Sequence, residues 1–186
     1  HSEIQDNTLS GFEDGLPDGY LGGKLDPLAS GLWPSGAKYI APFKNTMFVA
    51  GDSVSGIAFS APLQPEVFPP DNILDLGDAN LGPVTGMFPT RNALVVFKAQ
   101  GIYLIKGDPV NGFSAQTLTR DVGCNAPNSI CEVPGAGLVF LASDGVYALQ
   151  GSLENEGMAT SEIRLSTPIS ELMKRLNRSA LLNAFG

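Results

Sequence analysis

The chain repeats itself. An apolar run, Met47–Gly51 (MFVAG), returns as Leu94–Lys98 (LVVFK) and again as Leu138–Ala142 (LVFLA), with starts 47 and 44 residues apart. A second run follows each one: Gly56–Ser60 (GIAFS), Gly101–Ile105 (GIYLI) and Gly145–Leu149 (GVYAL), at intervals of 45 and 44 residues and always opening on glycine. A weaker segment precedes each pair, at Tyr39–Phe43, Val84–Phe88 and Ser129–Val133. A fourth follows, at Ile73–Leu76, Phe113–Thr119 and Glu162–Leu165. Such self-similarity constrains a fold more than composition does, because each copy must bury its apolar surface against its neighbours. Four short β segments in a unit of about 45 residues is the layout of a propeller blade. The expected fold class is all-β, with about three consecutive four-stranded β-propeller-like blades over 38–80, 81–122 and 123–165.

The turns agree with the repeat. Ser143-Asp144-Gly145 separates two apolar runs and reads as a tight hairpin, because glycine takes φ > 0 without steric cost. Ala99-Gln100-Gly101 and the looser Gly51–Gly56 occupy the matching places. The central runs are apolar almost throughout, as strands covered on both faces should be. Blades stacked face to face would cover them in that way.

The two ends of the chain differ from the repeats. Residues 1–37 carry Gly11, Gly15, Gly19, Gly22, Gly23, Gly31 and Gly36 together with Pro17, Pro27 and Pro34, so neither a helical nor a strand period survives. They are expected to form an irregular N-terminal arm, with Leu16, Tyr20, Leu21, Leu28, Leu32 and Trp33 available to dock. At the other end Ser166-Thr167-Pro168 offers an N-cap with a proline near the first helical position. Ile169, Leu172, Met173, Leu176 and Ala180 then follow at helical spacing. Glu171 early and Lys174, Arg175 and Arg178 later complement a helix dipole. The spacing predicts a helix over 168–183 within the C-terminal segment 166–186, packing on the last blade or on a partner subunit.

Composition narrows the function. The formal charge is −8, with 11 basic against 19 acidic residues. Tight binding to nucleic acid relies on Lys and Arg neutralising phosphates, so neither a DNA- or RNA-gripping surface nor attachment to an anionic membrane is expected. No apolar stretch approaches the roughly 20 residues of a spanning helix, and the N-terminus does not read as a signal peptide. Only 16% of residues are charged, which leaves an uncharged surface suited to interfaces. Cys124 and Cys131 are the only cysteines. Their C-x6-C spacing lacks the C-x2-C pairs of zinc sites, and they read as free, buried or half-buried thiols in a reducing compartment.

The stretch Leu94–Leu149 resembles the β-propeller-like structural proteins of tailed phages, the components of tail nozzles and tail hubs. The residues that carry the resemblance are LVVFK (94–98), GIYLIKGDP (101–109), DVGC (121–124), AP-x-S (126–129) and SDGVYAL (143–149), with TPIS (167–170) after the last blade. The match spans roughly residues 40–170, all of it core and turn positions. It implies a non-enzymatic structural role in a phage or prophage virion. The chain would self-associate or bind other tail proteins around a channel, after assembly in the host cytoplasm. Members of this group are longer, and closed propellers use about four to eight blades. Three blades do not close a ring, so either the chain is a fragment or its open ends are covered by the 1–37 arm, the helix or other subunits.

No catalytic, cofactor-binding or metal-binding residue is assigned. The single histidine is His1, which removes Ser-His-Asp and Cys-His arrangements from the chain. Neither nucleotide-binding glycine motif occurs, and Asp75-Leu76-Gly77-Asp78 lacks the alternating acids of a calcium loop. The sharpest enzymatic alternative is a glycan hydrolase using two of Asp108, Asp121, Glu132 and Asp144. Ser143-Asp144-Gly145 is faintly similar to a sialidase box, but reads better as a hairpin turn. Asp108-Pro109 reads as turn initiation, Arg120-Asp121 as a surface ion pair, and the sequon Asn177-Arg178-Ser179 as chance. A carbohydrate-binding or carbohydrate-cleaving propeller at a tail tip, with Phe68, Phe88 or Phe113 as an exposed stacking platform, is one alternative; a bacterial propeller scaffold is the other.

Overall fold

The computed structural model describes residues 34–51, 56–77, 79–150 and 161–184. The expected arm lies outside the described residues except for its last four, and Ala37 already belongs to a strand. Every expected β segment has its strand. The first unit holds β1 (Ala37–Phe43), β2 (Thr46–Gly51), β3 (Gly56–Phe59) and β4 (Ile73–Asp75). The second holds β5 (Val84–Pro89), β6 (Leu94–Lys98), β7 (Ile102–Asp108) and β8 (Gly112–Thr119). The third holds β9 (Cys131–Val133), β10 (Gly137–Leu141), β11 (Val146–Gln150) and β12 (Ser161–Arg164). Each unit is a separate four-stranded antiparallel sheet in simple meander order.

Register aligns the two central strands of each sheet in the same way. Leu94 pairs with Ile105 and Val96 with Tyr103 in the second sheet. Leu138 pairs with Leu149 and Phe140 with Tyr147 in the third. In the first, Val49 pairs with Ala58. The pairing of β1 with β2 shifts between Ala37 and Tyr39, and that of β5 with β6 shifts at the matching place, between Val84 and Gly86. A bulge retained in both copies at the same position bends the first strand in the same way each time.

Because side chains alternate across a strand, each sheet has two faces. We call front the face that meets the following sheet, and rear the one that meets the preceding sheet. Phe48, Ala50 and Ile57 of the first front face share a core with Leu94, Val96, Tyr103 and Ile105 of the second rear face. Val95, Phe97, Ile102 and Leu104 of the second front face share another with Leu138, Phe140, Tyr147 and Leu149 of the third rear face. All five residues of β6 are therefore buried. Burying a large apolar side chain contributes about 1.5–3 kcal/mol, so the middle sheet holds the stack together from both sides. Aromatic rings concentrate at both junctions: Phe48 meets Phe113 edge to face at 5.0 Å, and Phe97 meets Phe140 at 5.0 Å.

Some connections use chemistry that the apolar runs do not reveal. The β1–β2 hairpin turns on Lys44 and Asn45, both with positive φ (48° and 59°). That is the geometry of a two-residue hairpin whose twist matches its strands. The long excursion between β3 and β4 buries Phe68 and leaves Leu63 exposed, also at positive φ.

The glycines that open β3 or precede β7 and β11 serve a purpose other than the expected one. Gly56, Gly101 and Gly145 do not adopt positive φ. A Cβ on Gly145 would instead come within 2.3 Å of Ser166 Oγ, and one on Gly101 within 2.8 Å of Leu81 Cδ1. Close approach of a neighbouring segment, and not left-handed backbone, selects glycine at these two positions.

The C-terminal segment corrects the expectation of one helix over 168–183. A 3-10 turn (Thr167–Ile169) leads into a four-residue helix α1 (Ser170–Met173), and a second 3-10 turn follows at Arg178–Asn183. Ser166 does not cap the segment through its side chain. Its Oγ accepts a hydrogen bond from the Val146 N–H instead. Of the expected stripe Met173 is buried, whereas Ile169, Leu172 and Leu176 are exposed. Short helices in water depend on burial of one face, and of this stripe only Met173 is buried.

Candidate functional site

The four carboxylates considered for glycan hydrolysis are held in separate local roles. Asp108 closes the β7–β8 hairpin: its Oδ1 accepts from the backbone N–H groups of Val110 and Asn111, and its Oδ2 from Asn111 Nδ2. These bonds, the Asn111 side chain foremost, hold its pKa below the ordinary value. Asp144 sits in the β10–β11 hairpin, which is equivalent to β6–β7 and so occupies the other end of the strands from β7–β8. Its Oδ2 accepts from the Tyr147 hydroxyl at 3.0 Å and pairs with Arg164 at 3.4 Å. The Arg164 guanidinium lies 5.9 Å from the Tyr147 ring centroid. Burial, and then the bond to Asp144, push the Tyr147 phenol up. Asp121 follows β8, where its N–H donates to Thr119 Oγ1, and Glu132 pairs across β9 with Leu138. Ser143-Asp144-Gly145 is thus a hairpin pinned to the last strand, and Asp108 and Asp144 do not form the close pair a glycosidase needs.

The aromatic platform is not formed either. Phe68 is 3% exposed. Phe88 packs on the second core and Phe113 on the first. Phe113 does border an open depression of about 190 Å³ between the first two sheets, lined also by Thr46, Phe59, Ser60, Asn72 and Pro109. Among the described residues no charged side chain lines it. Among the described residues no three His, Cys, Asp or Glu side chains gather as a metal site. No described helix is long and apolar enough to cross a membrane.

Two buried polar features escaped the sequence. Lys98, the last residue of the most apolar run, is fully buried, with its Nζ 5.4 Å from the Tyr103 ring centroid. The Tyr103 hydroxyl is itself buried without a hydrogen-bond partner among the described residues. At the crossing to the third sheet, Thr85 Oγ1 donates to the carbonyl of Cys124 at 2.6 Å. Both cysteines are free, Cys124 buried and Cys131 half-buried, as their spacing suggested. Burial pushes the Cys124 thiol up to about 11, so it is not a nucleophile near neutral pH.

What stands out is the pair of end faces. The third sheet's front face presents Val139, Leu141, Val146 and Ala148, the equivalents of Val95, Phe97, Ile102 and Leu104. The first three are only half-buried, and neighbouring Ile163 is 42% exposed. On the first sheet's rear face Met47 and Ala58 are half-buried and Val49 is buried, flanked by Ile40 and Ile73, which are 57% and 60% exposed. These faces are apolar among the described residues, a surface that can bind apolar protein surface. No protein-family model matches the chain, and no curated protein matches it.

Proposed function

We propose that this chain is a non-enzymatic assembly component built of three propeller-like blades. In keeping with its resemblance to nozzle and hub proteins, we assign it to a phage tail or virion, in contact with its own copies or with other tail proteins around a channel. The observation that carries the reading is the repeated front-to-rear stacking of equivalent sheets, with apolar side chains of a front face at one end and of a rear face at the other still partly exposed. The lie of β1 against β5 and of β4 against β8 supports sheets stacked in one orientation, as blades are. The net charge of −8 supports a channel wall that lets DNA slide, since like charge repels phosphate.

Quantitative mass spectrometry of purified tailed particles from the source tests the assignment. The expected result is the chain at several copies per particle. Its absence from particles overturns the virion role. Retention of the purified chain on DNA-cellulose at physiological salt would count against the sliding surface.

A further inference from the structure

We infer that the front face of the third sheet receives the rear face of the first sheet of a second copy, so that two copies close head to tail into a six-sheet ring. The inference rests on the blade reading and names its interface. The same junction is built twice within the chain: front of the first sheet on rear of the second, and front of the second on rear of the third. At the second junction Val95, Phe97 and Ile102 are each 0% exposed. Their equivalents Val139, Leu141 and Val146 remain half-exposed. They are the same kind of side chain at the same register, lacking only the partner sheet.

The complementary face is on the same chain. Met47 and Val49 stand where Leu94 and Val96 stand in the second sheet, and Ile40 stands where Met87 packs into the first core. Neither end face carries a charge at these central positions, so joining them would strand no buried ion. The surfaces differ from each other, which makes the contact heterologous, and such contacts either close or propagate. The described residues of two copies bring three sheets each, and six lies within the roughly four to eight at which four-stranded blades close. Closure consumes every open face, which removes the aggregation hazard of exposed apolar sheet surface.

The test is sedimentation of the full chain across a wide concentration range, with charge placed on each face. The expected species has twice the 19.5 kDa chain mass. Ile40→Glu and Leu141→Glu should each yield monomer with an unchanged circular dichroism spectrum. Their equimolar mixture should regain a heterodimer, because one intact front meets one intact rear. Ile73→Glu and Ile163→Glu, at more exposed positions of the same faces, replace any variant that fails to fold. A wild-type chain that stays monomeric, an open polymer, or a dimer indifferent to Ile40→Glu and Ile73→Glu overturns the ring. So does a failure of the mixture to associate; a front-to-front contact would instead leave Ile40→Glu dimeric. A monomer that is still present in tailed particles overturns the ring and leaves the assembly role standing; a dimer absent from particles does the reverse.

Discussion

The second sheet and its two neighbours share one sequence pattern and one register, yet they live in different surroundings. In β6 every residue is buried, down to the Lys98 side chain. In β10 the residues alternate between buried and half-buried. The backbone pairing is the same and the side chains are similarly apolar. What separates them is whether a sheet follows. A four-stranded sheet of this kind therefore draws much of its stability from the sheets packed against it, as in stacked repeats generally.

That comparison exposes itself to measurement. Phe97→Ala empties a site sealed on both sides and should cost about 3–5 kcal/mol in denaturant unfolding. A loss as small as that of its equivalent in the third sheet would break the distinction between middle and end. A second, somewhat smaller effect concerns pH. Cys124 has its folded pKa raised from 9.0 to about 11 by burial, so between those values the folded state holds a proton that the unfolded state has released. Its contribution is complete below about pH 9 and is lost as pH rises through about 11, on the order of 2–3 kcal/mol. Cys124→Ala should flatten that stretch of the stability–pH curve, and an unchanged slope would remove the thiol as its cause.

Leu141→Ala, the third-sheet counterpart of Phe97→Ala, should cost only about 1 kcal/mol in dilute solution, because the side chain is already half-exposed. If the end faces meet, the cost grows with protein concentration, since association stabilises only the folded form. A concentration-independent value would sharpen the contrast by making the end face a free surface. The smallest effect belongs to the β10–β11 hairpin. Asp144 and Arg164 are 46% and 35% exposed at their side chains, so Asp144→Ala should cost less than about 1 kcal/mol. It should also lower the Tyr147 pKa towards its ordinary value without reaching it, because burial is the larger cause. Ultraviolet titration of the phenolates reads this directly.

Much of the architecture was legible along the chain, and the reason is local. A strand needs only a short apolar run bounded by turn residues, and Met47–Gly51, Leu94–Lys98 and Leu138–Ala142 announce themselves in that way. Repetition did the rest, since a weak segment such as Ile73–Leu76 gains meaning from its stronger counterparts. The Lys44-Asn45 turn went unread, although Asn is a residue that tolerates positive φ. The C-terminal segment was misread for a different reason. Its spacing is helical, but spacing describes a face and does not supply a partner for it. With Ser166 bonded to Val146 and Leu172 in solvent, one short helix forms and the turn after it departs.

The candidate interface was harder to see. In a run such as LVVFK both faces are apolar, so nothing in the letters says which neighbour covers which face, or that Lys98 is enclosed with them. By itself, then, the sequence determined the order and approximate positions of the described β segments and the period that relates them, because those depend on contacts close along the chain; the strand ends moved by up to three residues, with Ser129 in a 3-10 turn before β9 and β7 running on to Asp108. Only the tertiary structure decided which faces are front and rear, why Gly101 and Gly145 must be glycine, and which apolar surfaces stay open. Those outcomes depend on residues far along the chain, from Leu81 beside Gly101 and Ser166 beside Gly145 to whole neighbouring repeats, brought together by folding.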